Sequence, residues 1–191
     1  MIQEIAERIT NHWLRQKAIE EEDFDIYQYG MEQLLFLLIN SITILFIGIC
    51  FGQIIEILIF TFAFIMLRKY AGGYHASTQL RCYLMTVMSA IIGMSLVKFL
   101  PVWKEEYFIV FVMLGMGICS LAPVQTTNKP LDAIERLIYG TRARIVYAIE
   151  AVTVVVFVLV GWYTCALAIL AAQIILMVSL VAGTVQDVQT K

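Results

Sequence analysis

The sequence predicts an all-α integral membrane protein, with about six transmembrane helices arranged in hairpins and an amphipathic interfacial helix at the N-terminus. Of its 191 residues, 61% are hydrophobic and only 15% are charged, and the mean hydropathy is +0.83. Soluble domains are about 45–50% apolar and about 25% charged, so a soluble fold could not bury the excess. The apolar residues also occur in runs of the length that crosses a bilayer, about 20 residues.

The first element is a polar segment, residues 1–30, with a helical repeat. Ile2, Ile5, Ile9 and Trp13 recur every three to four residues, and charged residues lie between them. This pattern is typical of a helix that lies in the membrane interface with its apolar side toward lipid. The same pattern would also suit an amphipathic helix that packs against its own protein.

Six apolar segments follow, and short breaks separate them. The dipeptides Gly52-Gln53 and Gly161-Trp162 predict tight turns, while Pro101 and Pro123 predict helix ends. The predicted spans are residues 31–51, 54–67, 83–100, 107–122, 145–160 and 163–181. Six spans form three hairpins within a single membrane-embedded domain, residues 1–191.

The distribution of Lys and Arg predicts the orientation of these spans. Six spans place both termini on one side, together with segments 68–82 and 123–144. That side would hold eleven Lys and Arg residues, against Lys98 and Lys104 on the other side. Because basic loops are retained in the cytoplasm, we expect the termini, the 68–82 segment and a 123–144 loop to be cytoplasmic.

The cysteines and histidines give no pattern for a metal centre. Four cysteines are dispersed without a CxxC pair, and there are two histidines, too few for an ordinary zinc site. We therefore expect neither a metal nor another cofactor. Three of the cysteines are typical of small buried hydrophobic residues: Cys50, Cys119 and Cys165. The net charge of -2 gives no reason to expect a nucleic acid partner.

One polar segment interrupts the apolar sequence at residues 68–84, RKYAGGYHASTQLRCYL. The Gly72-Gly73 pair predicts a break, because glycine costs about 1 kcal/mol relative to alanine in a helix interior. Irregular backbone at a membrane is tolerated where it meets water or packs inside protein. Ser77 or Thr78 could then cap the next helix, and Cys82 would lie in the second turn of that helix.

His75 and Cys82 could meet only if this helix begins after the histidine. On one unbroken helix they would be about 10.5 Å apart along the axis, whereas proton transfer needs about 2.6–3.2 Å. An imidazole, the positive end of a helix and the basic residues Arg68, Lys69 and Arg81 would each stabilise a nucleophilic thiolate. The spacing by itself is also compatible with an incidental buried cysteine and an interfacial histidine.

The motif Arg-x-x-x-Gly-Gly-x-His-Ala, which runs from Arg68 to Ala76 and is followed by Cys82, resembles the catalytic segment of the accessory gene regulator B (AgrB) family. The polar N-terminal segment, the six-span layout and the loop APVQTTNKPLDAIERL are also similar to that family. Its members are bacterial membrane cysteine endopeptidases that process quorum-sensing pro-peptides. The resemblance implies that His75 and Cys82 form the catalytic pair, in the cell membrane of a Gram-positive-type bacterium.

The resemblance also implies the reaction and the partners. Cys82 would cleave off the C-terminal part of a short amphipathic, AgrD-like pro-peptide through a thioester. A nucleophilic side chain of the precursor would then capture the acyl group and give a cyclic thiolactone or lactone, the autoinducing peptide. A pocket embedded in the lipid bilayer would exclude water and so preserve the thioester. A homodimer is compatible with the small residues in the spans, but they do not require it.

Other residues of the segment are candidates for supporting roles. Gly72 and Gly73 are expected to shape the loop, or to donate amides to the oxyanion. Arg68 is a candidate for anchoring an acidic part of the precursor or a lipid phosphate, although a snorkelling arginine would look the same. The residue that orients the imidazole stays open among three polar side chains: Glu32, Gln33 and Gln79.

Two further classes of function are compatible with the sequence. A small multi-pass transporter or channel subunit would need polar groups along a path near mid-bilayer. The spans hold only scattered polar residues and the ionisable groups are expected to cluster at one face, which argues against a pore. Glu56, near the outer end of the second span, is expected to snorkel or to pair helices. In a non-catalytic membrane scaffold, Cys82 would be dispensable.

Overall fold

The computed structural model describes residues 2–74, 76, 78–100, 104–125 and 132–189, with residues 187–189 described by their backbone alone. The structure is 87% helical and the described residues contain no strand, which confirms the predicted all-α class. The described residues form seven α-helices: α1 (Ile2–Arg15), α2 (Phe24–Phe51), α3 (Ile54–Ala71), α4 (Gln79–Phe99), α5 (Glu106–Leu121), α6 (Ala133–Val160) and α7 (Tyr163–Gln189). His75, Ser77 and Pro101 lie outside the described residues.

The chain forms two compact units, Met1–Phe46 and Ile47–Lys191. The first contains α1 and most of α2, and the second contains α3 to α7. Residues 24–30, predicted as part of the interfacial segment, instead begin the long helix α2. The helix continues because no glycine or proline other than Gly30 falls in that stretch, and Gly30 has open space around it.

Helix α1 has the predicted amphipathic character. Its fully buried residues are Ala6 and Thr10, one turn apart, and the Thr10 hydroxyl donates to the Ala6 carbonyl at 2.9 Å. Ile5, which belongs to the predicted apolar stripe, is 43% exposed. The Trp13 ring meets the edge of Tyr27 in α2 with 6.4 Å between ring centroids. An apolar stripe that stays partly exposed favours the interfacial placement of α1.

Helix α7 is the centre of the second unit. It packs against α3, α4, α5 and α6, and every residue of the run 165–172, CALAILAA, is buried. A helix that is buried on all sides must be apolar on all sides. The alanines in this run let the neighbouring backbones approach closely, as small residues do between membrane helices.

Helices α3 and α7 are joined near both of their ends. Thr164, in the first turn of α7, donates to Glu56 in the first turn of α3 at 2.8 Å. Arg68, in the last turn of α3, donates to Ser179 in the C-terminal half of α7. The two helices therefore run parallel, as the second and the sixth of six alternating spans do. We call these two regions the Glu56 end and the Arg68 end. Glu56 thus pairs helices, one of the two roles expected for it.

Within the part of the chain that the structure describes, four helical segments are long and apolar enough to cross a membrane: Glu21–Phe51, Gln79–Phe99, Ala133–Val160 and Tyr163–Gln186. Helix α5 is apolar but has 16 residues, and α3 has 18 residues with charged groups near both ends. Large hydrophobic side chains on these helices remain exposed, including Phe62 in α3 and Met113 in α5. Apolar surface of this extent marks contact with a membrane or another protein.

Helix α6 begins at Ala133, not at the predicted Ile145, so the predicted 123–144 loop is wrong from residue 133 onward. A capping box at Asp132 and Glu135 starts the helix, and the Asp132 amide donates to the Glu135 carboxylate at 3.3 Å. Such a pair satisfies amide groups that have no partner within the first turn. The spacing Asp-x-x-Glu before an apolar run was the signal for this helix start.

A buried polar pair joins α6 to α7. Glu150 and Gln173 are 7% and 1% exposed, and the Gln173 amide donates to the Glu150 carboxyl at 3.0 Å. The expectation that ionisable groups cluster at one face is therefore wrong for Glu150, which lies well inside a helix that could span the membrane. Burial of a carboxyl requires a hydrogen-bonding partner, and Gln173 provides one.

Candidate active site

Cys82 lies at the start of helix α4. Thr78 is the N-cap residue, and its hydroxyl accepts a hydrogen bond from the Arg81 amide at 3.3 Å. The Cys82 amide donates to the Thr78 carbonyl at 3.0 Å, the first regular bond of the helix. The predicted helix start is confirmed, with Thr78 as the cap. The thiol therefore lies close to the positive end of the helix dipole, which favours an anion.

The Cys82 side chain is exposed on the protein surface. The predicted sheltered pocket around the thiol stays a prediction, because residues 75 and 77 lie outside the described part of the chain. Because His75 lies outside the described residues, its contact with Cys82 stays a prediction.

The loop between α3 and α4 begins with two glycines in conformations that favour glycine. Gly72 has a φ of 78° and Gly73 a φ of 132°, values that other residues rarely adopt. The Gly72 amide donates to the Arg68 carbonyl at 2.9 Å and so ends α3. That amide is engaged in the helix end, so of the two roles expected for Gly72 its geometry supports loop shaping.

The segment after α5 holds one side of this loop. The Val124 amide donates to the Ala71 carbonyl at 2.9 Å, and Gly72 and Val124 form an isolated parallel bridge. A Cβ atom on Gly72 would collide with the Val124 carbonyl oxygen. The loop therefore needs glycine at position 72 because of both its dihedral angles and its neighbour.

Helix α7 holds the other side of the loop. The Tyr74 amide donates to the Ser179 carbonyl at 2.9 Å and lies 3.3 Å from the Ser179 hydroxyl. One turn further along α7, a Cβ atom on Gly183 would lie 2.7 Å from the Gly73 carbonyl carbon and 2.8 Å from the Tyr74 nitrogen. The loop backbone thus passes directly over a part of the helix that has no side chain.

The Arg68 guanidinium joins these parts. Its Nη1 donates to the Ser179 hydroxyl and its Nη2 to the Tyr74 carbonyl, while its plane lies 5.7 Å from the Phe64 ring centroid. Arg68 lies outside the four segments that could cross a membrane. Burial lowers the pKa of Arg68, and the negative charge of an ionised Cys82 acts in the opposite direction.

Further basic side chains surround the same end of α3. The ammonium group of Lys69 and the guanidinium of Arg142 lie 5.7 and 5.9 Å from the centroid of the Tyr70 ring. Beneath them, α3, α5, α6 and α7 share a fully buried cluster: Leu67, Ala71, Ile118, Ala143, Leu176 and Leu180. The loop thus lies next to a fully buried apolar cluster, an environment in which irregular backbone is tolerated because it packs inside protein.

The three residues considered for orienting His75 lie in different places. Gln79 is the exposed first residue of α4. Glu32 belongs to the first unit, where it accepts a hydrogen bond from Gln28 at 3.5 Å. Gln33 also belongs to the first unit. The choice among them stays a prediction, since it depends on the position of the imidazole.

Sequence reasoning missed Ser179, Gly183 and Val124. More than 100 residues separate Ser179 from the loop, and a serine and a glycine within an apolar helix give no local signal. Among the described residues, no group of three histidine, cysteine, aspartate or glutamate side chains could hold a metal ion.

The helical fold and the loop around Arg68 define a multi-helix membrane protein with an exposed cysteine at a helix start. A comparison with known families identifies it further, because the accessory gene regulator B model matches residues 2–181. The chain belongs to the AgrB family. Membership in this family supports a role in accessory gene regulator peptide processing.

Relatives from two clostridial species agree with this assignment. An AgrB-like protein of Clostridium perfringens strain SM101 is 29% identical over 174 residues, which cover 85% of this chain and 81% of the relative. A second, from Clostridium perfringens strain 13, is 31% identical over 69% of this chain and 64% of its own length. A third, from Clostridium acetobutylicum, is 26% identical over 69% of this chain and 63% of its own length. No solved structure matches the chain.

Proposed function

We propose that this protein is a membrane-embedded cysteine endopeptidase that cleaves a short amphipathic precursor and helps to form a cyclic autoinducing peptide. The observation that carries the proposal is the position of Cys82, exposed in the first turns of α4, directly after the loop whose Tyr74 carbonyl accepts from Arg68. Helix ends and adjacent cations activate thiols as nucleophiles. Family membership supports the class of substrate.

The reaction consists of two acyl transfers. The Cys82 sulfur, deprotonated by His75, attacks the carbonyl carbon of the scissile peptide bond. The C–N bond breaks, the C-terminal fragment leaves as an amine that takes the proton from His75, and a thioester remains on Cys82. A thiol or hydroxyl of the precursor then attacks the thioester. The ring closes as a thiolactone or lactone, and Cys82 recovers its proton.

The exposure of Cys82 suits a substrate that arrives along the membrane surface. An amphipathic precursor lies in the interface, and its apolar side would cover the thiol and exclude water during the acyl-enzyme stage. We place the termini and the 68–82 loop in the cytoplasm, because eleven of thirteen basic residues fall on that side of a six-span topology. The bilayer and the pro-peptide are then the partners of this surface, and a homodimer is compatible with it.

The test combines cleavage with trapping of the intermediate. Purified protein in lipid nanodiscs is mixed with an amphipathic pro-peptide that carries an internal cysteine and an acidic tail. Wild-type protein should release the C-terminal fragment and carry a hydroxylamine-sensitive acyl adduct on Cys82, detected by mass spectrometry. Cys82→Ala and His75→Ala should each abolish both signals.

Cys50 was expected to be buried, but it is a free, exposed cysteine near the end of α2. Cys50→Ala is therefore the matched control. It should cleave at the wild-type rate. Undiminished cleavage in both Cys82→Ala and His75→Ala would contradict the endopeptidase proposal and favour a scaffold or a transporter.

A further inference from the structure

We propose that Ser179 and Gly183 of α7 are positioning residues for the loop between α3 and α4, which precedes Cys82. Both residues are distant from this loop in the sequence but contact it in the fold. The kinetic part of this inference rests on the proposed endopeptidase activity. The part that concerns the loop itself, residues 71–74, does not.

Ser179 contacts the loop through both its backbone and its side chain. Its carbonyl accepts the Tyr74 amide at 2.9 Å, and its hydroxyl accepts the Arg68 Nη1. The other guanidinium nitrogen donates to the Tyr74 carbonyl. Both polar backbone atoms of Tyr74 are therefore bound, one by Ser179 directly and the other through the arginine that Ser179 holds. Tyr74 immediately precedes His75 in the sequence, so these bonds hold the backbone next to the predicted catalytic histidine.

Gly183 is required by the close approach of two backbones. Glycine inside a helix is less favourable than alanine by about 1 kcal/mol, so a buried helical glycine needs a local reason. Here a methyl group would lie 2.7 Å from the Gly73 carbonyl carbon. Backbone atoms cannot rotate away as a flexible side chain can, so any side chain at position 183 must displace the loop.

The same contacts link the two halves of the site. Arg68 is held by Ser179 and donates to the Tyr74 carbonyl, in the loop that leads to Cys82. Loss of the Ser179 hydroxyl would free the guanidinium to move relative to the thiol and would remove one of the supports of Tyr74. The expected defect therefore lies in the alignment of the reacting groups and not in affinity for the precursor.

Two helical residues of the second unit provide matched controls. A Cβ atom on Gly117 would also lie 2.7 Å from its nearest neighbour, but that neighbour is the terminal methyl group of Met177, which can move. The Thr184 hydroxyl bonds to the Leu180 carbonyl within α7. Gly117→Ala matches Gly183→Ala in size and helical setting, and Thr184→Ala matches Ser179→Ala.

The experiment measures amide hydrogen exchange and steady-state cleavage kinetics on the same nanodisc samples. Exchange of residues 71–74 should be about tenfold faster in Ser179→Ala and in Gly183→Ala, and unchanged in both controls. With the amphipathic pro-peptide, kcat should fall about tenfold in Ser179→Ala. In Gly183→Ala it should fall about a hundredfold, which is the cost of displacing the loop by about 1 Å. KM should stay within about twofold of wild type in both variants. Ser179→Thr should recover most of kcat.

The outcomes separate this inference from the proposed function. Unchanged exchange in both Ser179→Ala and Gly183→Ala would overturn the anchoring of the loop by α7. Faster exchange with an unaltered kcat, in an active protein, would overturn the positioning role and leave the endopeptidase proposal standing. If wild-type protein shows neither cleavage nor an acyl adduct, the endopeptidase proposal fails and the positioning role falls with it. Even in that case, comparing the amide hydrogen exchange of the variants with that of the controls decides whether α7 anchors the loop.

Discussion

The Glu56 end and the Arg68 end of the α3–α7 pair are built in opposite ways. At the Glu56 end the chain reverses through Gly52 and through Gly161, whose φ angles are 69° and 84°. Neither glycine has a neighbour within 4 Å of an added Cβ. Among the described residues, an exposed hydrogen bond from Thr164 to Glu56 links the two helices at this end.

At the Arg68 end the glycines have the same backbone preference but crowded surroundings. Gly72 lies against the Val124 backbone, and Gly73 lies against Arg68 and Ser179. Glycine therefore serves two different purposes in this protein: at one end it only lets the chain turn, and at the other it lets three segments meet. The end that carries Cys82 is the one where irregular backbone is fixed by long-range contacts, as a preorganised site requires.

The largest effect should come from Gly72→Ala. The side chain would meet both a strained dihedral region and the Val124 carbonyl, so we expect a loss of about 3 kcal/mol in the free energy of unfolding. Gly161→Ala adds the same methyl group in open space and should cost about 1 kcal/mol. Unfolding in mixed detergent micelles measures both. Equal losses of unfolding free energy in Gly72→Ala and Gly161→Ala would contradict the view that glycine is crowded at the Arg68 end and unhindered at the Glu56 end.

An intermediate effect is expected between the two ends, at the buried pair of Gln173 and Glu150. Gln173→Leu leaves the Glu150 carboxyl without its hydrogen-bond donor and should cost about 2 kcal/mol. Thr153→Val is the control, because the Thr153 hydroxyl bonds only to the Ile149 carbonyl of its own helix among the hydrogen bonds of the described residues. If Gln173→Leu is no more destabilising than this control in the same unfolding assay, the pair does not hold α6 to α7.

The smallest effect is expected at the Glu56 end. Thr164→Val removes an exposed hydrogen bond and should cost less than about 1 kcal/mol, with pro-peptide cleavage unchanged. Parallel measurement of Ser179→Ala, its counterpart at the Arg68 end, would show whether only one end affects catalysis. A cleavage defect in Thr164→Val as large as that in Ser179→Ala would contradict the prediction that only the Arg68 end affects catalysis.

Much of the fold could be predicted from local sequence. The turn glycines, the cap at Thr78 and the central apolar segments follow from chemistry within a few residues. The start of α6 was missed, although Asp132 and Glu135 carried the signal, because the surrounding residues resembled a charged loop. Glu150 was missed for a different reason: one acidic residue barely changes the hydropathy of a long apolar span, and only packing shows whether it faces lipid or protein.

The sequence by itself determined that this protein is helical and membrane-embedded, and it singled out the segment from Arg68 to Cys82 through its glycines, its charges and its family motif. Only the tertiary structure decided that Arg68 binds Ser179 and that the loop rests against Gly183 and Val124. Composition and periodicity reflect the hydropathy and helix propensity of residues that are close in the sequence, and these properties are sufficient to predict helices. Contacts between segments a hundred residues apart depend on how the helices pack, and no local sequence pattern predicts that packing.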